Sequence, residues 1–167
     1  MSESEGLETL EGLHILAVDD EPDVLESIVD VLEDAKVDTA ESFEAALAKL
    51  EVNSYDLAIL DIMGVNGQEL LSETVKRDIP TVMLTAHAVS VETLKDSVNK
   101  GALAYLPKEE LANLDAFLVD LLATARRGGS TWQLLFDRLG DFFERAFGPK
   151  WAENDDPNFW RMYYPYF

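Results

Sequence analysis

The chain has 167 residues, 47% of them hydrophobic, and no cysteine; there is enough material for one full core with some surplus, and disulfides, thiolate metal sites and a catalytic thiol are excluded. Thirteen Lys and Arg against 33 Asp and Glu give a net charge of −20, which repels nucleic acid, since that binding rests on cations neutralising phosphates. The acidic start Met1–Glu5 lacks the basic and apolar regions of a secretory signal, and no stretch nears the ~18 apolar residues of a membrane span, so a soluble, cytoplasmic protein is expected.

After a polar segment, residues 1–11, expected to be flexible, His14-Ile-Leu-Ala-Val18 reads as a buried strand ending in Asp19-Asp20-Glu21. Pro22 suits the first turn of a helix, and Val24, Leu25, Ile28, Val29 and Leu32 recur at helical spacing. Val37-Asp38-Thr39 is a short strand, and Ser42 is the expected N-cap of a helix carrying Phe43, Ala46, Leu47 and Leu50. Leu57-Ala-Ile-Leu60 is a second apolar run closed by an acid, Asp61, and a helix with Leu70, Leu71 and Val75 follows. Thr81-Val-Met-Leu84 is a strand ending at Thr85. Ser90 opens a helix with Val91, Leu94 and Val98 that Gly101 stops. Ala102 to Leu106 is a last strand, and Glu109 to Arg127 reads as one long helix.

Continuous apolar strands alternating with amphipathic helices argue for a parallel sheet covered on both faces, with ligands at the carboxyl ends of the strands. Those ends carry Asp19, Asp20, Asp61 and Thr85, and Lys108 follows the last strand. Three carboxylates brought together repel one another. An all-oxygen set without His or Cys favours a hard divalent ion such as Mg²⁺, and a site with Mg²⁺, a hydroxyl and an ammonium suits phosphoryl transfer to a carboxylate.

The pieces Val-Asp19-Asp20-Glu21-Pro22, Leu-Asp61-Ile-Met63, Leu-Thr85-Ala86 and Gly101-Ala-Leu-Ala-Tyr105-Leu-Pro-Lys108 resemble the receiver domains of two-component response regulators, including the stand-alone chemotaxis type, over residues 12–127. The resemblance implies a flavodoxin-like α/β fold, a five-stranded parallel sheet in the order 2-1-3-4-5 between helices. It implies Asp61 as phosphoacceptor, with Mg²⁺ held by Asp19, Asp20, Asp61 and the backbone carbonyl of Met63. Lys108 would pair with Asp61 and then with the phosphoryl group. Thr85 would bind that group, small Ala86 would leave access to it, and Tyr105 would be the switch aromatic. The donor would be a histidine kinase or phosphotransfer protein of a phosphorelay, and a downstream protein of unknown identity would read the state. The chain would be no enzyme beyond its own phosphorylation and slow dephosphorylation.

Three departures stand out. The loop Asp61-Ile-Met-Gly-Val-Asn-Gly67 is about two residues shorter than the family's and has no Pro. Pro107 precedes Lys108 where the family has Pro after the Lys, so a different turn is expected. His87 and Met63 occupy the variable positions two residues after Thr85 and Asp61, which in the family influence the lifetime of the phosphoryl group. Two other functions compete. A haloacid-dehalogenase-type phosphatase would need a second Asp where Met63 stands. A degenerate receiver would act as an unphosphorylated binding or dimerisation scaffold.

Gly128-Gly129 marks the start of an extension, residues 128–167, that holds twelve of the sixteen aromatics and is acidic as a whole. Ser130 and Gln133 form a capping-box pattern, and Trp132, Leu135, Phe136, Leu139, Phe143 and Phe147 make one helical stripe that Gly148-Pro149 stops. Lys150 to Phe167 reads as irregular. An aromatic face this wide must be covered, either by folding back on the receiver or, the preferred expectation, by homodimerisation through residues 130–167. Coupling of phosphorylation to the packing of this tail is a further expectation.

Overall fold

The computed structural model describes residues 9–86 and 90–163. Five parallel strands form one sheet in the order β2-β1-β3-β4-β5, as the resemblance implied. They are β1 (His14–Val18), β2 (Lys36–Ala40), β3 (Leu57–Asp61), β4 (Thr81–Thr85) and β5 (Ala104–Pro107). Helices α1 (Pro22–Val31), α2 (Phe43–Val52), α3 (Gly67–Lys76), α4 (Val91–Lys100) and α5 (Leu114–Arg126) connect or follow them. Every residue of β3 and β4 is buried, which is why these strands read as unbroken apolar runs rather than as alternation.

Local signals place the helix ends. The Ser42 hydroxyl accepts from Ala45 N at 3.1 Å and the Ser90 hydroxyl from Thr93 N at 3.1 Å. Pro22 sits in the first turn of α1, where its missing N–H costs nothing. Gly101 takes φ +99° at the end of α4, a left-handed conformation that glycine adopts freely.

The structure moves some expected boundaries. β5 begins at Ala104 rather than Ala102, although Leu103 N already donates to Thr81 O (2.8 Å) at the start of β4. The long helix expected from Glu109 is divided: a 3-10 segment, Lys108–Asn113, precedes α5, a tightened first turn of a kind common at helix N-termini. The packed part of the chain also starts ahead of residue 12, for Leu10 is 3% exposed and its carbonyl accepts from Leu13 N at 3.2 Å.

After α5, helix α6 (Thr131–Phe147) is capped by Ser130, whose hydroxyl accepts from Gln133 N at 3.1 Å. Leu139 inside it leaves helical geometry (φ −117°, ψ 20°) just before Gly140, and α6 bends there. The stretch expected to be irregular contains two short helices, α7 (Trp151–Asp155) and α8 (Pro157–Trp160). Their signal was local but short: Pro157 occupies the first turn of α8 and the Asp156 carboxylate accepts from Phe159 N at 3.2 Å. The aromatic stripe is covered within the same chain. Trp132, Phe136, Phe143, Trp151 and Trp160 are each no more than 5% exposed, so the exposed face that motivated dimerisation is already buried. Among the described residues no helix is long and apolar enough to cross a membrane.

Candidate functional site

Because all five strands run parallel, their carboxyl ends share one edge of the sheet. Asp19 directly follows β1 and is wholly buried, its N–H bonded to Ala40 O (3.1 Å) at the end of β2. Asp61 is the last residue of β3 and is 4% exposed. Thr85 ends β4 and is buried. Lys108 follows β5 directly. Asp20 and Glu21 are exposed at the rim, and the Asp19 carboxylate turns back to accept from Glu21 N at 2.9 Å.

Lys108 ties the edge together. Its Nζ lies 2.8 Å from Asp19 Oδ2, 3.2 Å from Glu21 Oε1 and 3.3 Å from Asp61 Oδ1. The expected partner of Lys108 was Asp61, yet Asp19 is nearer. Pro107 before Lys108 does not displace it: the ammonium still reaches Asp61, and among the described residues no peptide bond is cis. The contact with Asp19 lies outside hydrogen-bond angles, so Asp19 Oδ2 is buried without a hydrogen bond. A cavity of about 340 Å³ opens onto Asp20, Asp61, Thr85, Ala86 and Lys108.

The electrostatics follow from crowding. Burial and then the charge of Asp19 push the Asp61 carboxyl up to about 6, against the pull of Lys108. Burial opposes charge on Lys108, but Asp19, Asp61 and Glu21 outweigh it and hold the ammonium above its ordinary range. A carboxylate that ionises only against its neighbours is a group waiting for a cation.

The loop after β3 is held by two glycines. Gly64 has φ +82°, and a Cβ there would stand 2.5 Å from Asp20 Oδ2; a Cβ on Gly67 would stand 2.1 Å from the carbonyl oxygen of Asp61. The shortened loop therefore closes tightly beneath the acids, with Gly67 N donating to Ile62 O at 3.2 Å. Met63 lines the cavity and is 69% exposed. Asp19, Asp20 and Glu21 each offer a carboxylate oxygen within 4.8 Å of the others. These residues fit a hard cation: the donors are all oxygen, one of them is buried without a hydrogen bond, and Gly64 leaves the Asp20 carboxylate its space.

Tyr105 is 1% exposed. Burial pushes its phenol up, while its hydroxyl approaches Thr85 outside hydrogen-bond geometry. His87 lies outside the described residues. Glu21, Gly64 and Gly67 were not singled out in the sequence as site residues, although the acidic triplet and the two-glycine loop were signals for them.

Residues 15–118 match the family profile described as the response regulator receiver domain. Among curated proteins, the chain is 32% identical over 123 residues to the transcriptional regulatory protein TcrA of Mycobacterium tuberculosis, covering 70% of this chain and 47% of that protein. It is 34% identical over 103 residues to the nitrogen assimilation regulatory protein NtrX of Azorhizobium caulinodans, covering 56% and 22%. The chain thus spans less than half the length of these curated relatives. Among solved structures, a CheY-like receiver domain protein from Methanospirillum hungatei aligns with a TM-score of 0.56 at 30% identity, over 65% of this chain and 94% of that one. The response regulator TrrA of Thermotoga maritima, in complex with Mg²⁺ and BeF, aligns with a TM-score of 0.51 at 38% identity, over 57% and 85%.

Proposed function

The chain belongs to the response regulator receiver domain family, and on that premise we propose that it is a phosphorylation-dependent switch whose acceptor is Asp61. Residues 12–127 form the receiver unit in this reading, and residues 128–167 form an extension to it. The observation that carries the proposal is the convergence at one sheet edge of buried Asp61, buried Asp19 and the Lys108 ammonium, with Asp61 pushed up to about 6 by burial and then by the charge of Asp19.

Asp19, Asp20, Asp61 and the backbone carbonyl of Met63 would hold Mg²⁺, which supplies charge neutralisation for carboxylates and phosphoryl oxygens. An Asp61 carboxylate oxygen attacks the phosphorus of a phosphohistidine on a histidine kinase or phosphotransfer protein. The oxygen–phosphorus bond forms, the phosphorus–nitrogen bond breaks, and the histidine leaves with its electron pair. Lys108 exchanges carboxylate partners for a phosphoryl oxygen, and the Thr85 hydroxyl donates to another. Ala86, exposed at the cavity mouth, leaves the donor an open approach. Water later takes the phosphoryl group off, so the cycle acts on the chain itself and turns over no other substrate. Tyr105, packed behind Thr85, is the aromatic that registers the change. A cytoplasmic location and a downstream protein partner go with this reading, and the net charge of −20 argues against nucleic acid as that partner.

Intact-protein mass after exposure to a small acyl-phosphate donor tests the proposal. Wild type gains one phosphoryl group in Mg²⁺ and none in chelator, and Asp61→Ala gains none. A wild type that neither gains the group nor binds Mg²⁺ would support the alternative, a degenerate receiver serving as an unphosphorylated scaffold.

A further inference from the structure

The C-terminal helices are attached to the receiver in a way that bears on the site. They carry a dense aromatic cluster that runs on into the buried core of the receiver: Trp151 and Trp160 rings meet at 4.9 Å, Phe136 and Phe143 at 5.2 Å, and Phe136 and Trp160 at 5.9 Å. Their grip on the receiver is mixed in character. Trp132 Nε1 donates to Ala102 O at 2.9 Å, in the turn into β5, and the Phe143 ring lies 6.2 Å from that of Tyr105 on β5. Lys95 of α4 pairs with Asp155 at 3.2 Å and Asp156 at 3.5 Å and sits 5.1 Å over the Phe159 ring. Arg138 pairs with Asp120 of α5. The connection is Gly128-Gly129, with Gly128 at φ +75° in open space. A segment joined to the receiver through a glycine pair and held partly by surface ion pairs makes a contact that can loosen, since partly polar contacts within a chain resemble transient interfaces.

The contact falls on β5, which is only four residues long, Ala104–Pro107. Tyr105, packed on Phe143, is its second residue, and Lys108, held by Asp19, Glu21 and Asp61, comes directly after it. A cation bound by Asp19 and Asp20 competes with Lys108 for Asp19. A phosphoryl group on Asp61 then gives the released ammonium a new partner. Both events change the partners of Lys108, the residue that directly follows the strand on which the C-terminal helices are seated.

We propose that residues 130–163 form an intramolecular clamp on β5 whose seating opposes occupancy of the Asp61 site, so that filling the site loosens the clamp and loosening the clamp favours filling. The inference rests on the Asp61 reading above. Its reciprocity is required by linkage: the factor by which occupancy weakens seating is the factor by which unseating strengthens occupancy.

The chain supplies its own reporter, because all three tryptophans, Trp132, Trp151 and Trp160, lie in the clamp and none in the receiver. Mg²⁺ with beryllofluoride serves as the phosphoryl stand-in, and fluorine NMR of bound beryllofluoride reads site filling independently. On filling, tryptophan emission shifts to the red and amide exchange in α6 speeds up at least severalfold, with neither change in Asp61→Ala. Lys95→Ala, which removes the surface pairs and the cation over the Phe159 ring, tightens beryllofluoride binding by about two- to fivefold, the scale of an exposed ion pair. Phe143→Leu, which keeps the site apolar but shortens the reach to Tyr105, shifts it in the same direction. Bound beryllofluoride with unchanged emission and exchange, and with both variants binding as wild type does, overturns the clamp and leaves the acceptor reading standing. No bound beryllofluoride at any Mg²⁺ concentration overturns both.

Discussion

The two edge strands of the sheet meet different fates. β2 (Lys36–Ala40) has one buried residue in five and carries its own protection: Asp38 pairs with the His14 ring at 2.8 Å and accepts from the Tyr55 hydroxyl at 2.8 Å. β5 (Ala104–Pro107) is apolar and wholly buried, with α4 and α6 packed against it. An apolar edge strand left open is a template for pairing with another chain. One edge is therefore guarded by polar side chains and the other by added helices.

The largest break in this comparison comes from removing the guard of β5. Trp160 is fully buried among Phe136, Trp151 and Phe159, and Trp160→Ala costs the C-terminal helices about 3–5 kcal/mol. Hydrogen exchange then rises across α6 and at Tyr105 and Leu106, while β2 keeps its protection. Equal loss in β2 would show that the sheet and the C-terminal helices are a single cooperative unit.

Next in size is a change at the acid edge. With the Asp61 carboxyl at about 6 rather than its ordinary 3.8, its burial costs nothing below 3.8, where it is protonated folded or unfolded. The cost grows between 3.8 and 6 and is complete above 6. Asp61→Asn therefore raises the stability of the metal-free chain at neutral pH by on the order of 2–3 kcal/mol. The gain fades as pH falls toward 3.8, and denaturant melts across that range measure it.

Asp38 behaves in the opposite sense on β2. Burial works against its charge, but hydrogen bonds from Tyr55 and His14 outweigh burial and hold the carboxyl below its usual range. Its contribution is present at neutral pH and is lost as pH falls through the acid range. Asp38→Asn costs about 1 kcal/mol at pH 7 and nothing at strongly acid pH, read from the same melts. The smallest effect belongs to Lys95→Ala, about 0.2–1 kcal/mol. It is confined to the C-terminal helices and erased by high salt, which screens exposed pairs.

Much of the site was legible because it is written at strand ends. Asp19, Asp61 and Thr85 each close or follow an apolar run, and a parallel sheet brings such ends to one edge whatever the details of packing. Lys108 was legible in position but not in partner: its closest approach, to Asp19, depends on a turn that only the packed structure sets. Gly64 and Gly67 look like ordinary loop glycines until the loop is closed and a Cβ at either would meet Asp20 or the backbone of Asp61.

By itself the amino-acid sequence determined the alternation of strands and helices, the helix caps, the parallel sheet and the row of acids along its edge, because each depends on spacing within about one element's length. The tertiary structure alone decided what covers the aromatic stripe. Trp132 finds Ala102 and Lys95 finds Asp156 across long stretches of chain, and hydrophobic burial is non-directional, so an apolar stripe states that it must be covered without stating by what. The covering surfaces proved to be α7, α8 and the receiver's own β5, which places the aromatic cluster beside the strand that leads to Lys108.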